Sequence, residues 1–205
     1  MWLLIESIAC AMALLVALWL RPWRLLNGPL LTPALGALVL VPLLWLTPTL
    51  MPAGLQVQLT AANLLVLMLG WPLAVPALVG VALIVGLVGG DAPALVIERL
   101  WWLGVLPATL ALGLGAVLRR WLPANPFVYT LGRGFFTTVL AVFVAASLRL
   151  LAHPSPSDQA FVAVWLMAWG DGFLTGLVVA VFVAFAPQWL ATWSDARYLQ
   201  PPDAS

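Results

Sequence analysis

The chain is a succession of apolar runs, most of them about as long as a bilayer is thick and each closed by glycine, proline or a charged residue. That pattern restricts the fold to helices that satisfy their own backbone inside lipid. The runs cover residues 2–20, 31–50, 56–69, 73–88, 100–118, 135–151 and 161–185. At ~1.5 Å of rise per residue, a run of about 20 residues crosses ~30 Å of hydrocarbon. A soluble core could not hide a 205-residue chain that is 64% hydrophobic and 7% charged, so composition leads to the same all-α, polytopic transmembrane bundle of about seven spans. Residues 1–187 form this helical domain. Residues 188–205 form a tail whose Trp189, Leu190 and Trp193 are placed for an interfacial face. The first run has no basic segment before it and no small-residue cleavage site after it, and is expected to stay as a helix.

Seven spans put the termini on opposite sides. The chain has eight arginines and no lysine. Arg21, Arg24, Arg119, Arg120, Arg133 and Arg197 fall on one side, Arg99 and Arg149 on the other. The positive-inside rule then predicts an outer N-terminus and a cytoplasmic C-terminus. A net charge of +1 without a basic run gives no footprint for nucleic acid. The single cysteine, Cys10, excludes an internal disulfide and a thiolate metal cluster. No catalytic triad, zinc-protease helix or ATP-binding loop occurs, so the expectation is a non-enzyme without a cofactor of its own.

Function then has to sit in the few polar groups within the apolar runs. Gln56, Gln58, Thr60 and Asn63 cluster at the start of the third run, after Pro52 and Gly54. Such groups either pair with other helices or line a ligand cavity, because an unsatisfied polar group in hydrocarbon costs several kcal/mol, on the order of 2–7. Glu6, near the start of the first helix, faces the same outer side and is placed to bind a cation or to pair with Arg149. Asp171 lies ten residues beyond Phe161, ~15 Å along the last helix and near mid-bilayer, where a bare carboxylate is expensive. It is expected to serve transport or a subunit contact, or else to hydrogen-bond Thr109 or Thr138 on a neighbouring helix. Gly172 and Gly176 beside it read as a close helix contact. Ala9, Ala13 and Ala17 form a small-residue stripe suited either to a partner helix or to internal packing. His153, flanked by prolines, reads as an exposed loop residue. The twelve tryptophans read mainly as interfacial anchors, with Trp101, Trp102, Trp165 and Trp169 also placed to wall an outer pocket.

The segment AGLQVQLTAANLLVLMLGWP, residues 53–72, is similar to the GTSGHLLGxxLAxxLLGP segment of the CbiM family. Those proteins are the substrate-binding membrane components of energy-coupling-factor importers for cobalt and nickel. The layout of seven spans fits, and GDGFLTG, residues 170–176, resembles that family's acidic, glycine-containing last span. The resemblance implies a membrane subunit of an ABC-type importer in a bacterial cytoplasmic (inner) membrane. It further implies a transmembrane coupling protein and cytoplasmic ATPase subunits as partners. A small solute, a transition-metal ion included, would bind at the outer face between the first, third and seventh helices, with Glu6, Gln56, Gln58, Asn63 and Asp171 as candidate contacts. Members that bind cobalt or nickel use the N-terminal amine and two histidines. Here Trp2 and Gln58 stand in the histidine positions, and an amide oxygen is a poor ligand for these ions beside imidazole. The metal ligands are therefore left open. A reading from another class is a non-transporting membrane sensor or scaffold that partners a neighbouring complex.

Overall fold

The computed structural model describes residues 1–26, 28–50, 58–154 and 160–199, with the side chains of 48–50 and 197 left aside. Among these residues every regular element is helical. Besides 3-10 turns at Pro22–Leu25 and Pro187–Trp189, they are in order α1 (Trp2–Trp19), α2 (Leu31–Leu50), α3 (Ala62–Leu69), α4 (Trp71–Gly89), α5 (Pro93–Trp121), α6 (Val128–Ala152), α7 (Ala160–Phe185) and a short α8 (Asp195–Tyr198). Among the described residues five of them, α1, α4, α5, α6 and α7, are long and apolar enough to cross a membrane, and α2 is an apolar helix of 20 residues.

The third run departs most from its expected form. Its helix begins at Ala62 and has eight residues, about 12 Å, less than half of a span. Gln58 to Ala61 precede it as non-helical backbone, and Gln56 lies outside the described residues. Despite its length α3 is the hub of the bundle, packing against α2, α4, α5, α6 and α7. Seven of its eight residues, all but Leu64, are buried. Gly70 turns the chain from α3 straight into α4. Its φ of +73° accommodates a single-residue junction that an L side chain would strain, and its N–H and C=O serve the end of one helix and the start of the next. Pro72 follows in the first turn of α4, where a missing N–H costs nothing.

Around this hub, α1 lies against α4 and α5. Its buried residues are Glu6, Cys10 and Ala17, spaced as one helical stripe, with Ala13 also packed on the core. The small-residue stripe of α1 thus faces inward, while Leu4, Met12, Leu15 and Trp19 are exposed on the other side. Helices α6 and α7 approach closely through glycine. A Cβ placed on Gly172 would lie 2.4 Å from Val139 Cγ2, and one on Gly176 3.1 Å from Phe135. The expected glycine contact is therefore present.

The tail also departs from its expected form. Leu190 is buried, and the backbone N–H groups of Ala191 and Thr192 donate to the carbonyls of Met68 and Leu67 at 2.9 and 3.3 Å. Thr192 Oγ1 donates to the Leu67 carbonyl as well, at 3.0 Å. The last carbonyls of a buried helix have no partner within it, and these residues supply partners that a lipid-facing tail could not. Tyr129 of α6 fixes the segment through Thr192 Oγ1 at 2.8 Å and through ring contacts with Trp193 and Tyr198. Arg133 closes the cluster by donating to Tyr198 Oη at 3.2 Å.

Gly172→Ala is expected to force α6 and α7 apart and to cost about 1–3 kcal/mol, the usual penalty for overpacking. Gly113→Ala, where an added Cβ meets nothing within 4 Å, should keep or raise stability, by up to about 1 kcal/mol. Thermal unfolding of the two variants in detergent, followed by circular dichroism, checks the contrast.

Candidate functional site

The polar residues within the bundle fall into two groups with different chemistry. The first is built on Asp171, eleven residues beyond Ala160 and so about 16 Å along α7. Its carboxylate is 1% exposed and meets the non-helical segment that leads into α3. Oδ2 accepts from the backbone N–H of Thr60 at 2.7 Å and from the Thr60 hydroxyl at 2.6 Å, and Oδ1 accepts from the N–H of Ala61 at 3.4 Å. The Thr60 hydroxyl in turn accepts from the N–H of Ala62 at 3.2 Å. The Thr60 carbonyl takes the indole N–H of Trp45, from α2, at 3.0 Å. Every polar atom of Thr60 is therefore engaged. Asp171 caps α3 from another helix, at the end where the helix dipole favours negative charge. Ala61, the residue at that end, is held at φ +52°, a left-handed conformation costing an L-residue roughly 1–2 kcal/mol; the three bonds to Asp171 hold it there.

Neither expected partner of Asp171 reaches it. Thr109 accepts the indole N–H of Trp71 at 3.2 Å and donates to the Val105 carbonyl. Thr138 accepts from Asn63 Nδ2 at 2.7 Å and donates to the Gly134 carbonyl. Asn63 is buried and also donates to the Arg133 carbonyl at 2.9 Å. The first turns of α6, Val128–Phe136, are π-helical, and three successive carbonyls there, of Gly132, Arg133 and Gly134, take donors from Thr137, Asn63 and Thr138. Helices open in this way where side chains enter the backbone ladder. Asp171 and Asn63 thus fasten α3 to α7 and α6. Gln58, on the same lead-in segment, is half-buried.

The second group lies elsewhere. Glu6 of α1 is 2% exposed, and its Oε1 accepts the indole N–H of Trp102 at 2.8 Å. His153, just past the end of α6, brings Nε2 to 3.5 Å from the same oxygen and stays 41% exposed. Its ring stands between those of Trp2 and Trp102, with centroids at 6.4 and 6.2 Å. Glu6 borders a cleft of about 340 Å³ between α1, α5 and the end of α6, walled by Trp2, Trp101, Trp102, Leu148 and Leu151. Trp101 and Trp102 both line it, from the π-helical turn Leu100–Val105 of α5. Pro107 follows at once, and its ring would clash with the carbonyl four residues earlier in a regular helix. Trp165 and Trp169, by contrast, pack with Phe143 and Phe135 on the α6 and α7 contact.

Arg149 does not pair with Glu6. It bonds Glu98 at 3.0 Å, and Arg99 bonds Asp91 at 2.5 Å. Among the described residues no three His, Cys, Asp or Glu side chains gather where they could hold a metal ion. His153 is the neighbour of Glu6 that its sequence context gave no reason to select, since Glu6 is 147 residues away in the chain.

Asp171→Asn retains one acceptor and turns an amide N–H₂ towards donors. It is expected to lose about 1–3 kcal/mol of stability, the cost of leaving buried groups unpaired. Thr60→Val should cost a similar amount, and the double variant less than the sum, because both remove the same bonds. Melting midpoints of the three variants in detergent decide it, and an unchanged midpoint for Asp171→Asn would contradict the capping role. The chain matches no family model, no curated protein and no solved structure, so the meaning of its two polar groups has to come from their own geometry.

Proposed function

We propose that this chain is the solute-binding membrane subunit of an importer of the energy-coupling-factor kind, and that the solute sits in the Glu6 cleft. The observation that carries the proposal is a buried carboxylate bordering a cleft of ligand size, at the low end of the ~300–1,000 Å³ usual for small-molecule sites. An ionisable side chain within a membrane helix is a functional candidate by default. Asp171 is a weaker candidate because its carboxylate is already engaged by three donors from its own chain. The site in this proposal therefore moves from the first, third and seventh helices to α1, α5 and the end of α6.

The remaining parts rest on the sequence. Six of the eight arginines on one side favour an outer N-terminus and a cytoplasmic C-terminus, which turns the Glu6 cleft outward. Seven embedded helices are then counted with α3 as a half-span. The similarity of residues 53–72 and 170–176 to the CbiM family supports a bacterial cytoplasmic membrane, a transmembrane coupling protein and ATPase subunits. The chain itself has no ATP-binding loop, so the energy has to come from such partners.

The test is purification of the tagged chain in mild detergent from membranes of its own host. A second multi-spanning protein and ATP-binding subunits are expected to accompany it in fixed ratio, with ATP hydrolysis in the purified assembly. A chain recovered alone from gently solubilised membranes would overturn the importer reading in favour of a sensor or scaffold.

A further inference from the structure

Glu6 is the acidic group of the bundle whose charge the chain leaves least answered. Its carboxylate has room for about four hydrogen bonds. Among the described residues it receives one from Trp102 at normal length, and beyond that only His153 at 3.5 Å. The two arginines at the same end are already engaged, Arg99 by Asp91 and Arg149 by Glu98. Burying a carboxylate without a counter-charge is costly, and the cost falls if a cation enters the cleft beside it.

The walls then select the kind of cation. A transition-metal ion needs three or more nitrogen, oxygen or sulfur donors. The cleft is lined by one such group, Glu6, with His153 3.5 Å behind it, and the rest of its wall is apolar or aromatic. Three indole rings, of Trp2, Trp101 and Trp102, line it. Indole is the strongest aromatic partner for a cation, and a cage of such rings beside one acid fits an ammonium group carrying alkyl substituents. Leu148 and Leu151 supply contact for those substituents. A strongly hydrated metal ion would lose its water here and gain little in return.

We infer that the Glu6 cleft binds an organic ammonium group, with the carboxylate of Glu6 against its charge and the rings of Trp2, Trp101 and Trp102 around its alkyl substituents. The inference rests on the proposed solute-binding role and names the class of solute. The ammonium group has two sources, a free solute or the headgroup of a phosphatidylethanolamine lipid.

The experiment uses the full chain, purified in detergent and placed in nanodiscs of phosphatidylglycerol, with binding followed by titration calorimetry. Choline and benzyltrimethylammonium are the probes, 3,3-dimethylbutanol is the uncharged isostere of choline, and cobalt and nickel chlorides are the competing class. Saturable binding of the two ammonium compounds is expected, at least about tenfold tighter than the isostere. Glu6→Gln should weaken it about tenfold or more, and Trp101→Leu by roughly 2- to 30-fold, the range that one cation–π contact provides. Trp101→Leu keeps the carboxylate, so it still tests the cage if Glu6→Gln folds poorly. Nanodiscs that also contain phosphatidylethanolamine separate the sources: choline binding lost there assigns the headgroup, and choline binding kept there assigns a free solute. Equal affinity for the uncharged isostere would overturn the inference. So would metal binding that depends on Glu6 and His153 with no ammonium binding, although that result would leave the solute-binding role standing. Co-purification with ATPase subunits tests that role separately.

Discussion

Everything in this bundle depends on satisfying the two ends of a helix too short to cross the membrane. In lipid there is no water to take up free N–H and C=O groups, and a terminus within the apolar region must find protein partners. At its start α3 meets the Asp171 carboxylate and the Thr60 hydroxyl, and at its end the backbone of Ala191 and Thr192. These partners come from α7, from the lead-in segment and from the tail. The short helix is therefore held by parts of the chain that are far apart in sequence, and the order of the longer helices around it follows. Asn63 adds a third fastening by donating into the opened turn of α6.

The two buried acids, Glu6 and Asp171, show how environment separates roles that residue type leaves equal. Both lie in apolar helices and both are at most 2% exposed. Asp171 faces three donors, all from the junction that leads into α3. Glu6 faces one indole N–H and a cleft. A saturated carboxylate holds structure together, whereas an undersaturated one beside a cleft has interaction free energy left for something else. The arginines sharpen the contrast, because Arg99 and Arg149 are tied to Asp91 and Glu98 and neither reaches Glu6.

Much of the helix layout was legible in the chain because burial in lipid leaves a plain record: long apolar runs, ended by Gly70, Gly90, Arg119 and the prolines before α7. Close packing at Gly172 and Gly176 was legible too, since small residues four apart have few other uses in a membrane helix. The third run was misleading for a physical reason. Apolar residues in the protein interior look the same as apolar residues in lipid, so a buried half-helix and a full span share one hydropathy. What separates them is the polar lead-in Gln58 to Thr60, which a lipid-facing helix would not tolerate and a buried junction needs. The tail was misread in the same way. Trp189, Leu190 and Trp193 suit a membrane interface, yet Leu190 and Trp193 cover Tyr129 and the end of α3 instead.

For the candidate site, the residue types were legible and their grouping was not. Glu6 and Asp171 stand out in any apolar chain by their cost alone, but cost does not say what answers it. The answer for Asp171 comes from Thr60, 111 residues away, and that for Glu6 from Trp102, 96 residues away. No spacing rule reaches across such distances. The one local signal was the pair Trp101 and Trp102 ahead of Pro107. A proline there favours a widened turn, and both indoles of that turn line the cleft. The twin tryptophans therefore mark the wall of the cleft more reliably than they mark an interfacial belt. It was the wall, more than the acid, that distinguished this cleft from the junction at Asp171.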